Sequence, residues 1–466
     1  MGETSRENAM AGKSSAWERM DEGTRHAAYA FAEHYRQFLN TAKTERETVE
    51  QAVNTARARG FVPLEERARL VPGDRVYSVV RGKTLLLAVV GAEPLENGMN
   101  IVGAHIDAPR LDLKPRPLYE EAGLALLKTH YYGGIKKYQW VSIPLALHGV
   151  VVKNDGQVLQ LVIGEKEQDP VFTITDLLPH LAKDQMEKKM SEAVAGEALN
   201  LLVGGIPVSA GEVKEKVKQV VLDHLQREYG LTEEDLVSAE LEVVPAWAAR
   251  DVGLDRSMIG GYGQDDRVCA YAALQAAVDL PAAGRTAVAL LVDKEEIGSV
   301  GNTGMHSALL ANFTAELAAR ILPQYSDLAL RRILYHSRAL SADVDGALDP
   351  NYPDVSDKLN VSRLGYGLVL TKYTGSRGKS GANDAHAEFL GFVRRLFNQA
   401  GVIWQTGELG KVDQGGGGTI AYMLADYGMD VLDCGVGLLG MHSPFEVASK
   451  ADIYMAYRGY LAFLGA

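Results

Sequence analysis

An apolar run, Thr286-Ala-Val-Ala-Leu-Leu-Val, reaches Asp293 and then two adjacent carboxylates, Glu295 and Glu296, followed by Ile297-Gly298-Ser299. Side by side at a strand end, two carboxylates suit metal-assisted hydrolysis: one ligates a cation while its neighbour stays free to move a proton. Glu-Glu pairs are also common on solvated surfaces, so this one gains meaning only from its company. Three further apolar runs end in metal-capable side chains. Asn100–Ala104 ends in His105-Ile106-Asp107, Ile333–Leu340 runs into Asp343, and Gly435–Met441 runs into His442.

A hydrolytic site with two divalent ions needs a bridging carboxylate, terminal His and carboxylate ligands, and a base for the attacking water. Asp265-Asp266-Arg267 opens the helix-like run Val268–Ala277, and Asp265 is the expected bridge, although Asp before a helix is also a common N-cap. His105 is the first terminal ligand, and Asp107, two positions on, can orient its imidazole. Glu296 and Asp343 supply further ligands, and His442 completes the second ion. Glu295 is the expected general base, taking a proton from a water acidified by the metals and passing it to the leaving amine. Mixed His and carboxylate donors make zinc the default for both ions, with cobalt or manganese fitting the same set.

These residues must be carried by a fold with many strand ends on one edge. The 466 residues are 47% hydrophobic and 23% charged, enough for two or more domains with substantial cores. No uncharged apolar stretch approaches the roughly 20 residues of a membrane helix. Met1–Ala9 is polar and lacks the apolar centre of a signal peptide, so a cytoplasmic protein is expected. A net charge of -12 and pI near 5.5 argue against nucleic acid as a partner. Cys269 and Cys434 form no CxxC pair and read as small buried residues.

Residues 15–60 read as helical, with Ala28, Phe31, Ala32, Tyr35 and Phe38 on one face, and strands are expected at Arg75–Val80 and Thr84–Val90. After Pro109 come prolines and alternating apolar runs such as Ser142–His148 and Gln157–Ile163, which predict β-rich material. Leu177–Leu231 reads as mostly helical and Leu236–Val244 as a strand. From Asp265 onward strands and helices alternate, as in a parallel or mixed α/β sheet. The expected architecture is a discontinuous α/β domain of residues 1–110 and 256–466, interrupted by a β-rich insert of residues 111–255. Gly415-Gly416-Gly417-Gly418-Thr419 precedes a helix-like run, and Gly417 is a candidate for close backbone approach to substrate.

In order and context, His105-Ile-Asp107-Ala-Pro109, Asp265-Asp266, Asp293-Lys-Glu295-Glu296-Ile-Gly298-Ser299, Ser341-Ala-Asp343 with Pro350-Asn351-Tyr352, and Met441-His442-Ser443 resemble the aspartyl aminopeptidase and vacuolar aminopeptidase I family. The resemblance spans nearly the whole chain. It implies a zinc-exopeptidase fold, an insert that dimerises and begins near Tyr132-Gly133-Gly134 and Trp140, and dimer-based assembly into tetrahedral dodecamers acting on peptides. Relatives selective for acidic amino termini carry a His three residues after the Asp343 position. Gly346 stands there here, which leaves the preferred residue open. Lys372 matches a family lysine that meets acidic side chains. In relatives a His of the insert reaches a neighbouring subunit's site. Asp184 occupies its place here, and His180, four residues earlier, is the expected intersubunit substrate contact.

Gly378-Lys379-Ser380 is not a phosphate-binding loop, because Tyr373 stands where its first glycine belongs. Two other readings keep the motifs. The same ions could serve a deacylase or carboxypeptidase, which would call for an arginine clamp on a substrate carboxylate. A catalytically silent scaffold would be expected to have lost Glu295 or the ligands, and all are present.

Overall fold

The computed structural model describes residues 14–209 and 214–466. The polar stretch Met1–Ala9 lies outside the described residues. Among those described, no helix is long and apolar enough to cross a membrane.

Two compact units emerge. The first comprises the described residues up to Ala108, Ala249–Met441 and Phe445–Ala466, and the second comprises Pro109–Ala248 with His442–Pro444. Arg250–Val252, assigned to the insert by sequence, pairs with Met258–Gly261 and belongs to the first unit.

The first unit is built on a nine-stranded sheet. Its strands are β1 (Val62–Pro63), β2 (Arg75–Val80), β3 (Thr84–Val89), β4 (Met99–His105), β5 (Thr286–Val292), β6 (Arg338–Ser341), β7 (Leu368–Thr371), β8 (Trp404–Thr406) and β9 (Asp430–Gly435), in the spatial order β1-β2-β3-β5-β4-β6-β9-β7-β8. The four neighbours β5, β4, β6 and β9 run parallel. Both faces of the sheet are buried, which explains why these strands read as continuous apolar runs rather than alternating ones. On β5, Ala287, Ala289 and Leu291 face one core while Val288, Leu290 and Val292 face another. The first core takes α1 (Glu22–Thr41), α2 (Glu45–Ala58), α3 (Gln264–Asp279), α6 (Ala387–Gln399) and α7 (Lys450–Leu464). The second takes α4 (Leu309–Ile321) and α5 (Asp327–His336).

Local chemistry fixes the helix starts. Asp21 accepts from the Thr24 N–H at 2.7 Å to cap α1, and Thr44 with Glu47 forms a capping box on α2. Ile333–Leu340 is not one strand. Its first part completes α5, where Ile333 and Leu334 are buried, and the Ser337 hydroxyl donates to the Ile333 carbonyl where the helix ends. The strand begins only at Arg338. The run Gly435–Met441 also divides: β9 stops at Gly435, and Gly437–Leu439 joins a separate five-stranded sheet.

The second unit carries a six-stranded antiparallel sheet in the order Val158–Ile163, Leu145–Val152, Ala239–Pro245, Arg110–Glu121, Leu124–Tyr132, Leu201–Gly204. The expectation of a mostly helical Leu177–Leu231 fails over much of its length. Among the described residues α-helix is confined to Lys183–Met186, Met190–Ala193 and Lys216–Tyr229, with a 3-10 turn at Gly196–Ala198, while the apolar Leu201–Gly204 adds a strand to the sheet edge. Residues 210–213 of that segment lie outside the described residues.

Candidate metal centre

Because β5, β4 and β6 are parallel neighbours, their carboxyl ends open on one edge. Val292 pairs with His105, and the Ala342 N–H donates to the Gly103 carbonyl at 2.6 Å. The segments following the three strands therefore converge, and the start of α3 brings in Asp265. A Cβ on Gly435 would collide with the Asp343 carbonyl, so glycine there lets the Asp343 backbone pack against β9.

His105 is 2% exposed. Its Nδ1 lies 3.0 Å from the Asp107 carbonyl and 3.2 Å from Asp107 Oδ1. A carbonyl only accepts, so Nδ1 carries the proton and the neutral ring presents a bare Nε2. That nitrogen faces acids: Asp265 Oδ1 at 3.0 Å, Asp343 Oδ1 at 3.9 Å and Glu295 Oε2 at 4.0 Å. A lone pair aimed at a carboxylate is attractive only with a cation between them, either a proton or a metal. Burial alone would lower the His105 pKa. The bonds to Asp107 and Asp265 and the charge of Asp343 overcome it and hold the pKa well above the usual value.

Two groups of three side chains have ligand atoms within 4.8 Å of one another: His105 with Asp265 and Glu296, and His105 with Asp266 and Asp343. Asp266 is missing from the sequence-derived set because it reads as a helix-start residue. Its carboxylate is fully buried, and neither oxygen makes a hydrogen bond of normal geometry, although Cys269 adjoins it. Burial pushes the Asp266 pKa well up, as it does for Asp343. Such a set of crowded, buried acids around one imidazole fits a divalent cation.

The doublet is held by its backbone. Asp107 is fully buried, and its Oδ1 accepts from the Glu295 N–H at 3.1 Å while Oδ2 accepts from the Glu296 N–H at 3.2 Å. Asp107 thus grips His105 and both glutamates at once. Behind it, Asp293 donates its N–H to the Thr84 hydroxyl at 3.3 Å and accepts from the Thr303 hydroxyl at 2.6 Å. Burial, with the charges of Glu45 and Asp107, pushes Asp293 up to about 6.

At the start of α3, Asp265 and Asp266 have non-helical backbone angles, and the position preceding the helix is Gly263. Asp265 is therefore not acting as a simple helix cap. Glu446 takes that part, its Oε2 accepting from the Gln264 N–H at 2.6 Å and the Asp265 N–H at 3.2 Å. Sequence reasoning missed Glu446, since nothing in its local pattern links it to a residue 181 positions away.

The remaining expected residues are members of neither group of three. His442 belongs to the second unit, where its Nδ1 donates to the Gly134 carbonyl at 2.8 Å. Lys372 is ion-paired with Asp384 at 3.2 Å. His180 is exposed in a turn between the exposed Leu178 and Leu181. The Gly417 N–H, expected to face substrate, instead donates to the Thr374 carbonyl at 3.0 Å.

Parallel strand ends carrying His and carboxylate side chains that could hold a cation, with a further glutamate alongside, fit a metal-dependent hydrolase. The family model described as aminopeptidase I zinc metalloprotease (M18) matches residues 38–464. A probable M18 family aminopeptidase 1 of Clostridium acetobutylicum is 52% identical over 454 residues, covering 97% of each chain. The crystal structure of a Thermotoga maritima M18 aminopeptidase superposes with TM-score 0.93 at 49% identity, covering 97% of this chain and 98% of that one. A yeast Ape1 dodecamer shares the fold at TM-score 0.75 and 20% identity, covering 93% of this chain and 95% of that one. The chain belongs to the M18 family, and it is a metal-dependent aminopeptidase.

Proposed function

We propose that the chain removes amino-terminal residues from peptides with two divalent ions, zinc by default and cobalt or manganese as alternatives, and with Glu295 as the base. The observation that carries this is the double grip of Asp107 on the Glu295 and Glu296 backbone beside a His105 Nε2 aimed into carboxylates. An imidazole nitrogen has one lone pair and serves one ion, whereas a carboxylate has two oxygens. Asp265 would accordingly hold both ions, and His105, Glu296, Asp343 and His442 would each hold one. The His442 Nδ1 bond to Gly134 favours this, because it leaves Nε2 as the unprotonated nitrogen.

Bound there, divalent ions supply Lewis acidity to the scissile carbonyl and to the attacking water. Glu295 accepts the water's proton and delivers it to the departing amine. Asp107 keeps Glu295 and Glu296 in register so that one glutamate stays off the metals. Gly346 offers no side chain to an acidic residue, and Lys372 already neutralises Asp384, so an acidic substrate side chain competes with Asp384 for it. We assign the chain to the cytoplasm and to a dimer-based dodecamer, in line with the dodecamer named for yeast Ape1.

A panel of aminoacyl anilides, run with measured metal content, tests the reading. An unblocked peptide is cleaved while its acetylated form is not, with two ions bound per chain. Release of carboxyl-terminal residues or of acyl groups would favour the carboxypeptidase or deacylase alternative.

A further inference from the structure

At the opposite edge of the central sheet, the amino ends of β5, β4, β6 and β9 border a cavity of about 420 Å³. Arg285 immediately precedes β5, and Arg338 is the first residue of β6, in register with Asn100 on β4 and Asp430 on β9. Gly98 lets the start of β4 lie against the His336 carbonyl, where a Cβ would collide. Arg285 donates to that same carbonyl at 3.1 Å, which directs its guanidinium across the foot of β4.

Arg338 is half-buried, its guanidinium 4.7 Å from the centre of the Phe392 ring. Its guanidinium makes no hydrogen bond or ion pair with any described residue. Stacking on Phe392 occupies the face of the guanidinium and leaves its in-plane N–H donors, the groups that grip oxyanions in a two-pronged fashion. Burial, then the neighbouring Arg285 charge, lowers the Arg338 pKa, and Asp430 and Glu93 offset this only in part. Two like charges held close beside a cavity are an arrangement that a bound dianion would stabilise.

We propose that this cavity binds a phosphate group, free or as a phosphate ester, between Arg285 and Arg338. Two guanidinium groups lining one cavity match a dianion better than a single carboxylate. The volume lies in the range of small-molecule sites, and Tyr335, 63% exposed on its wall, offers a ring face to an organic portion. The site is separate from the metal centre, on the other end of the same strands.

The test is the melting temperature of the metal-loaded enzyme titrated with inorganic phosphate or phenyl phosphate, against chloride at matched ionic strength. The expected result is a saturable rise with both phosphates and none with chloride, and a tighter midpoint for phenyl phosphate if the cavity also holds the organic group. Arg338→Gln and Arg285→Gln should each weaken the apparent affinity by about tenfold or more, with kcat/KM for peptide unchanged. Arg338→Lys, which keeps the charge without the fork, should fall between and serves if a Gln variant fails to fold. No rise at all, or an equal rise at equal midpoint in the variants, as when phosphate binds only at the catalytic ions, would overturn the proposal.

Discussion

Replacing Asp107 with Asn isolates the grip on the glutamate doublet, because the two side chains have nearly the same shape. The native carboxylate accepts from the Glu295 N–H at 3.1 Å and the Glu296 N–H at 3.2 Å, and its Oδ1 lies 3.2 Å from His105 Nδ1. Asn keeps one acceptor oxygen and turns an NH2 toward one of the backbone donors, so at least one hydrogen bond to a charged group is lost in a fully buried place. Such a bond contributes about 1.5–3 kcal/mol. At roughly 1.4 kcal/mol per decade, kcat/KM should fall by about 10- to 150-fold. The loss should lie mainly in kcat, since the base is displaced while substrate-binding groups stay. Metal affinity should weaken by about tenfold, because His105 loses part of its orienting partner. Steady-state kinetics on an aminoacyl anilide at saturating metal, with metal content measured in parallel, reads both quantities. A variant within twofold of wild type in kcat/KM and metal retention would refute the reasoning.

Glu296→Ala should lose bound metal on dialysis while Glu295 remains, since Glu296 shares a group of three with His105 and Asp265. Elemental analysis of the dialysed protein checks this, and full retention would remove Glu296 from the ligand set. Asp452 is fully buried, accepts from the Gly365 and Gly367 N–H groups at 2.6 Å each, and is pushed by burial up to about 7. The folded chain therefore holds this proton when the unfolded chain has released it. Its contribution is fully present below about pH 4 and is lost as pH rises to about 7, at about 1.4 kcal/mol per pH unit. Asp452→Asn should flatten that part of the stability profile, measured as melting temperature across pH 4.5–8. An unchanged slope would contradict the assignment.

The convergence of His105, Asp265, Glu296 and Asp343 was legible because each stands at a strand end or a helix start, and parallel neighbours put such ends on one edge. The orienting of His105 by Asp107 was legible too, but the grip of Asp107 on the glutamate backbone and the part played by Glu446 were not. Both act by accepting from backbone N–H groups more than 180 residues away in sequence, and a backbone donor leaves no mark in residue type. Asp266 escaped notice for a different reason: its importance lies in full burial without a well-formed hydrogen bond, which a helix-start Asp does not announce. Ile333–Leu340 divides because a short apolar run suits a buried helix end as well as a strand, and the break is marked by the Ser337 hydroxyl bond to Ile333 and the Ser337 N–H bond to Leu334. Leu201–Gly204 was hidden because four residues are too few to show an alternation, although its partners on the neighbouring strand, Leu126 and Leu127, are apolar.

The central claim is that the two glutamates have separate jobs, and Glu295→Gln with metal content and turnover measured on the same sample tests it most directly. Glutamine fills the same volume and cannot hold the proton. The account predicts that bound metal stays at the wild-type level while kcat falls by about 10²–10⁴-fold. Turnover at the wild-type rate with metal in place would contradict it, and loss of the metal would show that Glu295 is a ligand and not the base.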